Sequence, residues 1–328
     1  MEPLLEVKNL KLQNQSVTID KLKLFSFFIL FLFSCQPIIK VKTIDMNWAT
    51  FDLDLPNGIE VFQGINKYIP LKAWVAIIDL ENINITAKIL SSNDVDGVET
   101  PSSFLDNNNA IVVLNGGYFI TDNRSAKHVG LLKTSGILRE PASPSLIKED
   151  LRYYISRGAF GLKKNGSPDI AWASTYNDSI FEWDRPIANR PGYPNKLISN
   201  KSRKHWNVNG ALHAGPVLIS DGEIDITVEE EVFFNTPIAG VQPRSAVGYT
   251  KENKLILMVV DGRQPDSRGV YLEELAIMLK YFNCHEAVNL DGGRSSAIVA
   301  DTRLLNRPSG LTSQREVMSA IGIFYKKV

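Results

Sequence analysis

Two apolar runs in this chain each end in an acid followed by glycine. LILMVVDGRQ delivers Asp261 and Gly262, and AVNLDGGRSS delivers Asp291, Gly292 and Gly293. Arg263 follows the first acid, and Arg244 opens a further run, PRSAVGY. Carboxylates of this kind can attack carbon or take a proton from water. A guanidinium fork donates paired hydrogen bonds to phosphate. The glycine pair lets a ligand approach the main chain and leaves successive N–H groups open to an anion. Either Asp-Gly alone also describes a tight hairpin turn. Their coincidence, with Glu274 on the segment between them, points to one cleft for a sugar joined to a phosphate.

A fourth piece, Asn115-Gly116-Gly117-Tyr118-Phe119, ends another buried run with an amide, two glycines and two aromatics. Amides and aromatic faces are common partners of sugar hydroxyls and rings, although aromatics at such positions also serve as core packing. His128, His205, His213 and His285 show no metal-ligand spacing, so no metal or cofactor is expected. His213, before Ala214-Gly215-Pro216, is a minor candidate for the cleft. No nucleophile elbow, P-loop or dinucleotide fingerprint is present.

The elements that must position these groups are mostly strands. Period-two alternation marks 75–78 and 82–86, and buried runs lie at 110–114, 159–162, 216–219, 246–249, 255–260, 286–290 and 297–299. A short helix is expected near 102–105. A longer one is expected to bury Tyr271, Leu275, Met278, Leu279 and Phe282 on one face, with Glu273 and Glu274 in the first turn, where the helix dipole favours acids. Residues 176–207, with Pro186, Pro191 and Pro194 and the basic residues Lys201, Arg203 and Lys204, read as a long surface excursion. The expected class is α+β: one catalytic domain over 46–328, with a large, mostly antiparallel sheet and a few flanking helices.

The chain has 328 residues, 44% of them hydrophobic, enough for a large core. Lys+Arg and Asp+Glu balance at 36 each, which argues against a nucleic-acid binder; an anionic ligand must be met by locally placed arginines. Lys21 and Lys23 precede the apolar run 24–33, which is too short to span a bilayer but suits a signal-peptide core. Leu32-Phe33-Ser34-Cys35 then resembles a bacterial lipobox. Residues 1–45 are therefore expected to be an export signal, lipid anchor at Cys35 and short linker. Residues 1–20 do not suit a leader, which places the expected start of translation after Met1. The anchor would hold the protein in the bacterial envelope and leave Cys284 as a lone core thiol.

Seven marks occur in a specific order: Asn115–Phe119, Ala214-Gly215-Pro216, Pro243-Arg244-Ser245-Ala246, Val260-Asp261-Gly262-Arg263, Leu272-Glu273-Glu274-Leu275-Ala276, Asn289-Leu290-Asp291-Gly292-Gly293 and Asn306-Arg307-Pro308-Ser309. In this the sequence resembles the phosphodiester glycosidase domain family, over about residues 70–325. The resemblance implies hydrolysis of a sugar-1-phosphodiester at its glycosidic bond. It carries over to Asn115, Arg244, Asp261, Glu274, Asn289, Asp291 and the Gly292-Gly293 pair. Where relatives have a third glycine this chain has Arg294, which either adds a cation beside the phosphate or narrows the cleft.

On this reading Asp291 and Asp261 face the sugar, as nucleophile or base and its partner. Glu274 is a reserve acid/base or the group that orients an arginine. Arg244 and Arg263 hold the phosphate, with Asn115, Gly116, Asn289, Gly292, Gly293, Arg294 and Ser295 completing the substrate site. No protein partner is expected. Two other readings stay open: a non-catalytic carbohydrate-binding lipoprotein, and a metal-dependent enzyme that cuts the phosphate side of the diester.

Overall fold

The strand Arg244–Tyr249 has the sequence RSAVGY and is buried on both sides through Gly248. Its alternate side chains serve two cores: Ala246 joins the outer apolar cluster and Val247 the inner one. A strand that alternates between two apolar layers must lie inside the protein, and this one is central in an eight-stranded sheet. The order is Asn47–Thr50, Ile59–Ile65, Lys72–Asp79, Lys254–Val260, Arg244–Tyr249, Glu286–Asn289, Val217–Ser220 and Glu223–Ile224, and every pairing is antiparallel. The computed structural model describes residues 44–122, 125–195, 203–310 and 313–326. The expected leader and Cys35 lie outside the described residues, and no described helix is long and apolar enough to cross a membrane.

A seven-stranded sheet centres on Pro168–Tyr176, Arg157–Lys163 and Val208–His213. A five-stranded sheet runs Arg303–Leu304, Ile298–Ala300, Val112–Asn115, Ser319–Tyr325 and Ile85–Ser91. All three sheets contribute to the inner core, for example through Val259, Leu290, Phe160, Leu212, Leu114 and Ile321. Only two α-helices occur among the described residues, α1 (Pro101–Asn108) and α2 (Leu272–Tyr281). The expected mostly antiparallel sheet core with few helices is present, and the fold is largely β, since most buried runs are short and find strand partners.

Both helices form where the sequence placed them. In α1, Thr100 accepts the Ser103 N–H at 3.1 Å as N-cap, Pro101 opens the first turn, and Asn109 ends the helix in the left-handed region. In α2, Leu272, Leu275, Ala276, Met278 and Leu279 pack onto the outer face of the eight-stranded sheet, whereas Tyr271, expected on that face, is the N-cap before the first turn and is exposed. The 176–207 segment is less of an excursion than expected. It contains the strand Ser179–Trp183, whose Phe181 and Trp183 are buried, and ends in the short strand Lys204–His205.

The register decides where function can sit. Arg244 pairs with Val260 and Ala246 with Asn289, so Arg244, Asp261 and Asp291 emerge at one end of three adjacent strands. Leu275 carries the sheet–helix contact with no exposed surface. Leu275→Ala is expected to cost about 2–5 kcal/mol in urea unfolding, with the slope unchanged. A loss well under that range would show that α2 is peripheral to the core.

Candidate active site

Asp291 begins the turn that leaves the strand Glu286–Asn289, and the polypeptide on both sides of it is tied down. The Leu290 N–H donates to the Ser245 carbonyl at 2.8 Å, the Asp291 N–H to Gly116 at 3.1 Å, and the Gly293 N–H to Pro243 at 3.0 Å. Gly292 packs with its Cα against Pro243, where a Cβ would sit 2.7 Å from the carbonyl oxygen. Gly293 has φ +64°, the region glycine favours. The turn continues as a short 3-10 helix, Gly293–Ser295, in which Arg294 takes an ordinary backbone conformation. Arg294 is exposed and is not among the cavity residues, so it neither narrows the cleft nor adds a cation to it.

Asn115 is fully buried and joins the sheets at this point. Its Nδ2 donates to the Asp291 carbonyl at 2.7 Å. Its Oδ1 accepts from the Ser245 hydroxyl at 2.6 Å and from the Ala297 N–H at 3.1 Å. Asn115 is thus a positioning residue. Gly116 is too: its N–H donates to Ser319 at 2.8 Å, and an added Cβ would lie 2.8 Å from the Ser319 carbonyl carbon. Asn289 is buried as well, and its Nδ2 reaches the Tyr118 hydroxyl at 2.8 Å and the Gly215 carbonyl at 3.0 Å. That carbonyl, next to the cis Gly215-Pro216 peptide, also accepts the Tyr118 hydroxyl proton at 2.8 Å.

These contacts frame a cavity of about 150 Å³ lined by Tyr118, Ile238, Gln242, Pro243, Arg244, Arg263, Asp291, Gly292 and Gly293, with Pro237 at its edge. Arg244 is only 2% exposed. Its Nε donates to Val270 at 3.3 Å, and its Nη2 to Ile238 at 2.7 Å and Gly240 at 2.5 Å. All three acceptors are neutral carbonyls, and no described carboxylate forms an ion pair with it. Burial lowers its pKa to about 10, so it remains charged at neutral pH. Arg263 is held by Gln242, whose Oε1 accepts from Nε at 3.0 Å and from Nη2 at 2.5 Å, with the guanidinium beside Gly293. A buried cation without a counter-anion at a cavity wall is poised for an anionic ligand.

The Asp291 carboxyl is raised to about 6 by burial, while Ser295, Arg315 and the Gly292 amide favour its charged form. The Ser295 hydroxyl itself accepts from Arg315 at 3.0 Å. Ser295 is buried and oriented toward Asp291, so it supports the acid and does not line the cavity. Tyr118, expected only as one of two aromatics, lines the cavity, and burial together with Asp291 raises its pKa.

Two expected acids do not reach the cavity. Asp261, 1% exposed, accepts the Asn306 Nδ2 at 2.9 Å and the Arg307 N–H at 3.1 and 3.2 Å. Asn306 also donates to the Ser296 carbonyl at 2.8 Å and accepts from the Ile298 N–H at 3.0 Å. Asp261 is therefore bonded to the Asn306–Arg307 segment and does not line the cavity that holds Asp291. Glu274 accepts the Tyr271 N–H at 3.0 Å at the start of α2 and pairs with Arg268 at 2.6 Å. Its partner Arg268 does not line the cavity, so Glu274 is engaged away from both arginines expected to hold phosphate. His213 and His128 are buried, and burial lowers them to about 3 and about 4, which keeps both neutral and structural.

Residues missed by sequence reasoning include Arg315, Gln242 and Ile238, which carry no local motif. So was the grouping of Asp221, His285 and Glu286, whose ligand atoms lie within 4.8 Å of one another near the opposite ends of the same strands. Only the fold brings Asp221 to the other two, so histidine spacing could not show it.

A family profile for phosphodiester glycosidase matches residues 108–324, more than half of the chain. The chain belongs to the phosphodiester glycosidase family. It is 37% identical over 156 residues to N-acetylglucosamine-1-phosphodiester alpha-N-acetylglucosaminidase of Bos taurus, and 33% identical over 156 residues to that of Homo sapiens. In each case the match covers 47% of this chain and 27% of the relative, so the chain spans about a quarter of the length of these curated relatives. In fold, this family member is similar to the zebrafish enzyme's catalytic domain, described as auto-inhibited by its pro-peptide. The TM-score is 0.55 at 21% identity, covering 86% of this chain and 83% of that one. A hypothetical protein from Synechocystis gives 0.56 at 17% identity, covering 86% and 68%.

Asp261 and Asp291 are both raised above the ordinary carboxylate value, so each binds its proton more tightly in the folded state than in the unfolded one. Their contribution favours folding below about pH 4 and is lost as pH rises through about 6. Asp261→Asn keeps an acceptor for Asn306 and removes the titration. It is expected to flatten the fall in unfolding free energy between pH 4 and 6; an unchanged slope would remove Asp261 as a contributor. Asp261→Ala leaves the Asn306 amide and the Arg307 N–H unpaired and is expected to cost about 1–3 kcal/mol or more.

Proposed function

We propose that the protein hydrolyses the glycosidic bond of a sugar-1-phosphodiester, releasing the sugar and a phosphomonoester. The observation that carries this reading is a half-buried carboxylate, Asp291, lining the same small cavity as a buried arginine without an ion-pair partner among the described residues, Arg244, and a second arginine, Arg263. Family membership and the activity for which the mammalian relatives are named support the reaction class.

The chemistry fits one carboxylate at the cavity. Breaking the bond from sugar C1 to the phosphate oxygen passes through an oxocarbenium-like transition state. The bonding electron pair leaves with the phosphate, a weak base whose second pKa is about 6, so a strong general acid is dispensable. Arg244, Arg263 and the Gly292-Gly293 amides stabilise the departing charge. Asp291 takes the proton of the water that attacks C1, and that proton passes on to the phosphomonoester or to solvent. Tyr118 is placed to pack against the sugar, its hydroxyl already used on Gly215. The reading extends to export and a lipid anchor at Cys35 in a bacterial envelope, on the strength of the apolar run and lipobox-like residues 24–35.

A second reading, a sugar-phosphate binder without turnover, is favoured by one observation: Asp261 and Glu274 are committed to Asn306 and Arg268, leaving Asp291 without a second cavity acid. Turnover separates the two. Asp291→Asn is expected to lower kcat on a hexose-1-phosphodiester by about 10²–10⁴-fold with binding retained. Unmeasurable turnover by the unmodified protein across a panel of sugars would favour the binder. As a base, Asp291 must be ionised, so kcat/KM is expected to fall about tenfold per pH unit below about 6 and to level off above it. Activity that rises instead as pH falls through 6 would assign it to acid catalysis. Arg244→Gln is expected to lower kcat/KM by about 10²–10³-fold.

A further inference from the structure

A cavity of about 460 Å³ shares no lining residue with the one beside Asp291 and has no acidic residue in its lining. Lys88, Lys163 and Lys164 line it, with Ser135, Asn165 and Asn209 between them. Lys163 pairs with Asp169 at 3.1 Å, whereas among the described residues Lys88 and Lys164 form no ion pair with a carboxylate. Lys88 lies instead over the Phe324 ring, 4.5 Å from its centre. Lys133 adds to the positive field, and its pKa is lowered by burial and by the charge of Lys164. One wall is the strand Ile85–Ser91, the edge of the five-stranded sheet, which among the described residues pairs only with Ser319–Tyr325. Its outer edge offers unpaired backbone donors and acceptors.

We propose that this cavity is a second binding site, for a phosphate-bearing oligosaccharide. Unpaired ammonium groups supply the attraction for phosphate, and amide, hydroxyl and edge-strand groups supply partners for sugar hydroxyls. No aromatic residue lines the cavity, so it lacks a stacking platform for nucleobases, and the chain has no net positive charge. The strand Arg157–Lys163 carries the site at its far end. Arg157, at the strand's other end, interacts electrostatically with Tyr118, and Lys163 lies about 20 Å along the strand from it. The proposal stands apart from the hydrolysis reading, since it requires only binding.

The test uses calorimetric titration of the full chain with maltohexaose 6-phosphate, unmodified maltohexaose and a single-stranded hexanucleotide. Arg244→Gln in the background removes the first cavity. That variant is expected to bind the phosphorylated sugar at one site, and adding Lys88→Gln and Lys164→Gln is expected to weaken binding about tenfold or more. Lys88→Gln with Lys164→Gln alone should keep the thermal midpoint and the turnover of a small phosphodiester. Equal affinity with and without these lysines, no binding in the Arg244→Gln background, equal binding of unmodified maltohexaose, or tighter binding of the oligonucleotide would each overturn the proposal. Absent turnover in every variant would count against hydrolysis alone.

Discussion

The candidate site depends on a carboxamide. Asn115 ends a strand of the five-stranded sheet, yet its side chain holds the Asp291 carbonyl, the Ser245 hydroxyl on the eight-stranded sheet, and the Ala297 amide. A buried amide with both ends engaged has one orientation, and any rotation strands several polar groups in the core. Because sheet register sets the positions of Ser245 and Asn115, the whole packing of the inner core is expressed in the position of Asp291. Asn306 repeats the device on the other side, joining Asp261, Ser296 and Ile298. The turn that carries the acid is therefore held from two directions by groups that do not line the cavity.

This arrangement gives the cavity its electrostatic character. Arg244 is buried against neutral carbonyls, a state that costs free energy unless an anion arrives. Asp291 retains a proton more readily than an exposed acid would, because burial outweighs the help of Ser295, Arg315 and Gly292. A ligand whose negative charge sits toward Arg244 and Arg263 and whose neutral sugar sits toward Asp291 meets both conditions. A symmetrical dianion or a neutral glycan meets only one.

The sequence carried the convergence of the motifs more faithfully than the duties of single residues. Strand ends at Arg244, Asp261 and Asp291 could be read from apolar runs closed by acid and glycine, and α2 from its three-and-four spacing, since burial patterns are local. The direction in which Asp261 and Glu274 point was not local. It depends on Asn306 and on Arg268, and an acid after a strand looks the same whether it faces a ligand or a buried amide. Asn306 had been visible only as part of a motif without a role. Arg315 left no trace, because it reaches Ser295 by way of a loop. Two helices were legible and two are present, so the α+β label describes a fold in which strands dominate.

The most direct test is hydrolysis of a hexose-1-phosphodiester in heavy-oxygen water, with both products weighed by mass spectrometry. Attack at C1 predicts the label in the released sugar and an unlabelled phosphomonoester. Label in the phosphate would place the chemistry at phosphorus and contradict the roles given to Asp291 and Arg244.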